Sequence, residues 1–278
     1  AEVDEDPPDG SVAGDGDTGE AVFEAATRFS GALLGGGVAA AGNADKVDIG
    51  MFSNAQMFGA GELTVNADGE VVDATFDNGL YGGGVNNIAS AGMVTLDSGE
   101  IMEPGFDADL GVGWGRWTGP MTVDGVSGKR GNLAFTVTDN FTAPTRLKAL
   151  GGTINYALAG GPKAFTPNSG TTWKVDAIQF GVDFNSTSVL LDTFQLTKSN
   201  NDKASVIFTQ VKAGSDFVDV DNNALGFDMD NGTDFGTLAG SFVGTNGEGM
   251  VVVYHVDATD EDSSRTTVTG TSVLKQTP

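Results

Sequence analysis

The chain contains no cysteine, which removes disulfides, thiolate zinc sites, iron–sulfur clusters and cysteine nucleophiles together. A single histidine leaves little room for imidazole chemistry, and 14 Lys and Arg stand against 38 Asp and Glu. The resulting formal charge of −24 repels phosphate backbones and anionic head groups over roughly 8–10 Å, so nucleic acid is not an expected partner. No segment approaches the roughly 18 consecutive apolar residues of a transmembrane helix. Three Tyr and three Trp are too few for the two aromatic girdles of a membrane β-barrel, and the closing Lys275-Gln276-Thr277-Pro278 is not an apolar strand.

What the chain does have is length and apolar content. With 278 residues, 39% of them hydrophobic, it can bury a core without a covalent staple. It opens on Asp4-Glu5-Asp6-Pro7-Pro8 rather than on a basic and then apolar leader, and so reads as the mature product of Sec export with its signal peptide removed. A lipoprotein would carry cysteine at its processed N-terminus. The expectation is therefore an extracellular protein, or one held at the outer cell surface by protein contacts.

Residues 1–20 are rich in Asp, Gly and Pro and form an acidic arm with nothing to bury. In the next region, 21–110, Val22, Ala25, Ala26, Phe29 and Leu33 recur near a helical period before Gly35-Gly36-Gly37 interrupts them, which predicts one short helix over 21–34. If the arm docks into a neighbouring subunit, Val22, Phe23, Phe29 and Leu33 are the side chains that would insert. The rest of this region reads as hairpin and meander. Asn66-Ala67-Asp68-Gly69 supplies the positive φ angles of a tight turn within a hairpin over 61–76, and Asp77-Asn78-Gly79 and Asp97-Ser98-Gly99 mark further corners.

From 111 to 278 the period is two. Leu133/Phe135/Val137 and Ile154/Tyr156/Leu158 alternate with small or polar partners. Over Trp173–Phe184, alternation sends Ile178, Phe180, Val182 and Phe184 one way and Trp173, Val175, Ala177, Gln179 and Asp183 the other. About eight strands at this spacing favour a sandwich or barrel over βαβ units. The 42 glycines supply bends and bulges for closure. The predicted fold class is all-β: an antiparallel, roughly eight-stranded C-terminal barrel preceded by the hairpin and meander region and its short helix.

Four groups of residues invite a chemical reading. His255 lies mid-strand in Met250–Val256, on the face of Val251 and Val253; it could be a lone axial haem ligand, but no G-x-S-x-G elbow accompanies it, so catalysis is not expected. Asp219, Asp221 and Asn223 follow the i, i+2, i+4 spacing of the first ligands in a calcium loop, with Asp228 and Asp230 close behind. The match breaks at the sixth and twelfth positions, Ala224 and Asp230, leaving a weak Ca2+ site or an acidic surface loop as the alternatives. Trp114, Arg116 and Trp117 form an aromatic and guanidinium cluster that would either order a seam or anchor a partner. Gly35-Gly36-Gly37 and Gly82-Gly83-Gly84 precede no Lys-Ser/Thr and are not phosphate loops.

Several blocks carry a resemblance. Gly113-Trp114-Gly115-Arg116-Trp117-Thr118-Gly119, Gly152–Gly161, Val182-Asp183-Phe184 and Ala239-Gly240-Ser241-Phe242-Val243-Gly244-Thr245-Asn246-Gly247 resemble the C-terminal barrel domain of FecR-like proteins. More distantly they resemble the barrels of transferrin-binding-protein-B-like surface proteins and hemophilin-type secreted hemophores. The resemblance spans about residues 111–256. It implies a Gram-negative bacterium, export across the outer membrane, a non-enzymatic barrel supporting a variable binding region, and at family level haem or iron uptake. Two classes of function remain open: a binding module for haem or a protein partner, and a structural subunit of a filament or surface layer assembled through the N-terminal arm.

Overall fold

A computed structural model describes residues 27–38, 56–65, 71–76, 94–96, 100–123, 126–138, 140–166, 171–199, 205–209, 216–259 and 265–278. The chain is all-β and antiparallel, with its strands in two sheets. The first contains β1 (Thr27–Val38), β2 (Gln56–Val65), β3 (Val71–Phe76), β4 (Val94–Leu96), β5 (Glu100–Asp107), β6 (Val112–Val123) and β7 (Val126–Thr138), in the order β4-β3-β2-β1-β7-β6-β5. β4 also pairs with the far end of β6, so β4 and β5 lie end to end along that strand.

The helix expected over 21–34 is not formed in its described part, where β1 runs between β2 and β7. Phe29 and Leu33 explain the misreading, because a spacing of four places residues on one face of a strand as well as of a helix. Gly31 and Gly35-Gly36-Gly37 disfavour helix, and two ladders satisfy the backbone instead. The 61–76 hairpin is present as the β2–β3 ladder, Gly61 opposite Phe76.

A short link carrying α1 (Pro144–Leu147) leads to the second sheet. Its strands are β8 (Thr153–Gly160), β9 (Ala164–Phe165), β10 (Thr172–Asp183), β11 (Ser188–Lys198), β12 (Ser205–Thr209), β13 (Asp216–Asp219), β14 (Ala224–Asp230), β15 (Phe235–Val243), β16 (Gly249–Thr259) and β17 (Arg265–Gln276). The order is β12-β11-β10-β8-β17-β16-β15-β14-β13, with β9 bridging β10 and β17. β6 and β7, which the sequence grouped with this part of the chain, hydrogen-bond into the first sheet.

One face of the second sheet closes around a single core containing Phe180, Phe194, Phe208, Phe227, Phe242 and Tyr254. Leu147 of α1 is part of that core, and the Tyr156 hydroxyl donates to the Gly247 carbonyl at 2.9 Å beside it, so helix and turn cover one end. The expected barrel is present as a curled antiparallel sheet, and the described residues do not show it closed. Its end strands β12 and β13 share no ladder among the described residues, although Asn231 Nδ2 reaches the Ile207 carbonyl of β12 at 3.0 Å.

Strict alternation fails in β10. Trp173 is buried in the same core as Ile178, Phe180 and Val182, because the register with β11 jumps at Asp176, between Val175 and Ala177. One extra residue reverses the side-chain parity beyond it. The indole N–H is satisfied by Thr166 Oγ1 at 3.0 Å. Asp176 is turned outward, where burial raises its carboxyl but bonds from Lys174 and Thr197 outweigh that and hold it below the usual carboxylate range.

Candidate functional site

Three of the residues singled out from the sequence, His255, Trp114 and Arg116, meet at the contact between the two sheets. β16 and β17 are buried on both faces over Met250–Val256 and Val268–Leu274. Their inward side chains serve the core of the curled sheet. Their outward ones, Val251, Val253 and Val273, pack with Leu110 of the turn between β5 and β6 and with Val112 of β6. Burial on both sides is what the unbroken apolar run of β16 reports.

Trp114 packs against this second cluster, its indole between the bare backbones of two glycines. A Cβ on Gly105 would lie 2.3 Å from the ring, and one on Gly160 would lie 2.7 Å from it. Glu103 and Pro104 form a bulge opposite β6, with Glu103 at φ 54°. That bulge turns the Glu103 carboxylate onto Arg116, whose Nε and Nη2 donate at 3.3 and 3.2 Å. Arg116 is buried and the Glu103 side chain partly so, which shields the pair from water on the Arg116 side. Glu103 also accepts the Lys163 backbone N–H at 3.0 Å, fastening the first sheet to the residue that precedes β9. Trp117 stands in register between Leu133 and Ile101. Further along, Lys275 of β17 bridges Asp107 and Asp109 at 2.8 and 3.2 Å.

His255 sits in the same outward row as Val251 and Val253, between Thr237 and Thr269, and is 8% exposed. Asp257 Oδ1 lies 3.5 Å from Nε2 and also accepts from Thr267 at 2.8 Å. Burial holds the imidazole below the usual histidine range, and Asp257 offsets only part of that. The folded state therefore resists a proton that the unfolded chain accepts near pH 6.5. This contribution is complete above pH 6.5 and is lost as the pH falls through that value toward the lower folded one. Urea melts at pH 7.5, 6.5 and 5.5 are expected to show declining stability with a shallower decline in His255→Asn; equal declines would remove His255 as the cause. Carboxylates held low, such as Asp183 and Asp219, act only around and below their ordinary value of 3.8.

The acidic loop has other work. Asn223, 8% exposed at φ 51°, places its side chain on the backbone. Nδ2 donates to the Thr142 and Phe242 carbonyls at 3.0 and 2.9 Å, and Oδ1 accepts the Phe242 N–H at 2.8 Å. Asp219 accepts from the Asn222 side chain at 2.7 Å and from two backbone N–H groups, contacts that hold it below the usual carboxylate range. Asp221 pairs with Lys148. Asp230 accepts the Gly232 N–H at 2.7 Å, whereas Asp228 lies mid-strand opposite Thr237. Among the described residues no three His, Cys, Asp or Glu converge as a metal site.

Val22 and Phe23 lie outside the described residues; Phe29 and Leu33 stand in register opposite Leu63 and Val137. Sequence reasoning passed over Glu103 and Asn223 as framework residues. Glu103-Pro104-Gly105 inside a strand was the available signal for the bulge.

No family model and no curated protein matches the chain. Among solved structures, the isotype 1 transferrin binding protein B of serogroup B Neisseria meningitidis aligns at TM-score 0.35 and 10% identity, over 89% of this chain and 44% of that one. A mutant transferrin binding protein B of Haemophilus parasuis aligns at TM-score 0.31 and 13% identity, over 91% and 59%. A protein of unknown function from the DUF3598 family of Nostoc punctiforme aligns at TM-score 0.23 and 9% identity, over 91% and 96%. The chain thus spans less than two thirds of both transferrin binding proteins. The FecR-like resemblance finds no support in these comparisons, and overlaps this partial carry no ligand across.

Proposed function

We propose that the chain is a non-enzymatic binding protein of the extracellular face of a bacterium, with a protein rather than haem as its ligand. One observation carries the reading: His255, Trp114 and Arg116, the side chains best suited to ligation or anchoring, are committed to the contact between the sheets. His255 is 8% exposed and next to Asp257, so axial haem ligation would require the sheets to part. Within the iron-uptake setting that the sequence resemblance implies, a protein carrier is the matching ligand. In this reading the 21–110 region and the loops of the second sheet carry the contact with the ligand.

The alternative of a filament subunit requires the N-terminal segment to enter a neighbour's sheet. Phe29 and Leu33, two of the four residues proposed for that role, already lie in β1, which has neighbours on both sides. The test has two arms on the full chain. Haemin titration is expected to give no Soret shift that depends on His255, and light scattering after size exclusion to give a concentration-independent monomer. A Soret band abolished by His255→Ala would replace the protein ligand with haem. Large species lost on deleting residues 1–34 would replace binding with assembly.

A further inference from the structure

The turn between β14 and β15 holds an asparagine–glycine pair in a reactive set of hydrogen bonds. The chain has three such pairs, Asn78-Gly79, Asn231-Gly232 and Asn246-Gly247. In Asn–Gly the backbone nitrogen reaches the preceding side-chain amide with least hindrance, because glycine puts no Cβ beside that nitrogen. Attack of the glycine nitrogen on the asparagine Cγ closes a five-membered succinimide and expels ammonia. Water then opens the ring to aspartate or isoaspartate. The reaction is helped by a base for the N–H, by donors to the oxygen that takes up charge, and by access for water.

Asn231-Gly232 has all three. Asp230 Oδ1 accepts the Gly232 N–H at 2.7 Å, so a carboxylate already holds the proton that must leave the nucleophile. Asn231 Oδ1 accepts the Thr233 and Asp234 N–H groups at 2.9 and 2.7 Å, two donors aimed at the atom that becomes an oxyanion. Such bonds strengthen as their acceptor takes up charge, and they favour the tetrahedral intermediate over the resting amide. Asn231 and Gly232 are exposed, and a Cβ on Gly232, at φ 84°, would meet nothing within 4 Å. Asn246-Gly247 is arranged differently. Glu248 accepts the backbone N–H of Asn246 itself at 2.8 Å and its side-chain amide at 2.9 Å, and Gly247 is buried.

The nitrogen of the same amide holds two parts of the sheet together. Asn231 Nδ2 donates to the Ile207 carbonyl of β12 at 3.0 Å and to Asp234 Oδ2 at 3.2 Å. The first of these bonds spans the opening of the curled sheet, where β12 and β13 share no ladder among the described residues. Loss of ammonia puts a carboxylate oxygen where the donor stood, facing a carbonyl and a second carboxylate, so attraction turns to repulsion. We infer that Asn231 is a self-modification site whose conversion releases β12 from the β14–β15 turn. Gly232 N attacks Asn231 Cγ, its proton passes by way of Asp230 to the departing ammonia, and hydrolysis of the succinimide leaves aspartate or isoaspartate. One water is consumed and one ammonia released, with no oxidant or reductant.

The inference needs no ligand and is independent of the protein-ligand reading. Ageing the full chain at neutral pH and following its peptides by mass tests it. Residue 231 is expected to gain one mass unit about tenfold faster than residue 246, the scale of one hydrogen bond made in the transition state. In urea, where the turn is lost, the two rates should converge. Asp230→Asn keeps the shape of the side chain without its charge, and should slow conversion at 231 about tenfold while leaving 246 unchanged. Hydrogen exchange at the amides of 205–209 should quicken in the aged protein. It should quicken likewise in Asn231→Asp, which copies the product without waiting for the chemistry. Equal rates at 231 and 246 in the folded protein, or an unchanged rate at 231 in Asp230→Asn, would overturn the self-modification. Exchange at 205–209 that is the same in Asn231→Asp as in wild type would overturn the release of β12.

Discussion

Replacing Asn223 by alanine is expected to destabilise the protein by about 4 kcal/mol. The β14–β15 ladder reaches Leu225 opposite Gly240, and beyond it the Asn223 side chain takes over as the partner of β15. Its amide accepts from Phe242 N and donates to the Thr142 and Phe242 carbonyls. Ser241 Oγ donates to the Asn223 carbonyl at 2.7 Å, so the site is linked on both sides. Alanine leaves the Phe242 N–H without its acceptor in a place water does not reach, and must also hold φ near 51°, which asparagine and glycine tolerate and alanine does not. Asn223→Gly relieves the backbone but not the lost bonds and should fall between the two. Thermal or urea unfolding measures both; a change below about 1 kcal/mol in the alanine variant would show that the bonds do not matter. Because the same amide is a poor calcium ligand while it is so engaged, exchanging Ca2+ for a chelator is expected to leave the wild-type midpoint where it was.

Trp114→Ala should cost about 3 kcal/mol and loosen the two sheets from one another. The ring fills a slot whose depth is set by Gly105 on one side and Gly160 on the other, and it packs on the Leu110, Val112 and Val253 cluster. Surrounding strands are held by their own ladders and cannot collapse into the void, which is the condition under which truncation is expensive. The amides of β6 should then exchange with solvent faster than those of the Phe180–Phe227 core, where the rings sit 5.3 Å apart edge to face. Adding bulk tests the same slot from the other side: Gly160→Ala must push the indole away and is expected to be destabilising in wild type and nearly neutral in Trp114→Ala. Independent, additive effects would show that ring and glycine do not share the slot. Arg116 and Glu103 contribute through the bulge that sets Gly105 under the ring, and not as an isolated ion pair.

How much of this was legible depends on the range of the interactions involved. Alternation at Ile154/Tyr156 and Ile178/Phe180/Val182 comes from neighbours along the strand, and it identified strands and core face correctly. It failed at Trp173, because a bulge at Asp176 is a decision made against β11. It failed again at Phe29 and Leu33, whose spacing suits both periods until β2 and β7 supply ladders. The cluster at Trp114 and Arg116 was visible as composition, but whether it faced a partner or a second sheet was not.

The sequence alone determined that the protein is an antiparallel β structure with no thiol chemistry, a strongly acidic surface and a glycine content suited to bends, since these follow from residue types and their local period. Only the tertiary structure decided that β6 and β7 join the first sheet, that His255 is enclosed, that Asn223 spends its amide on backbone, and that the bulge at Asp176 turns Trp173 into the core. Each of these turns on which distant strand lies alongside. That choice is made by register and by burial on a second face, and neither leaves a period in the chain.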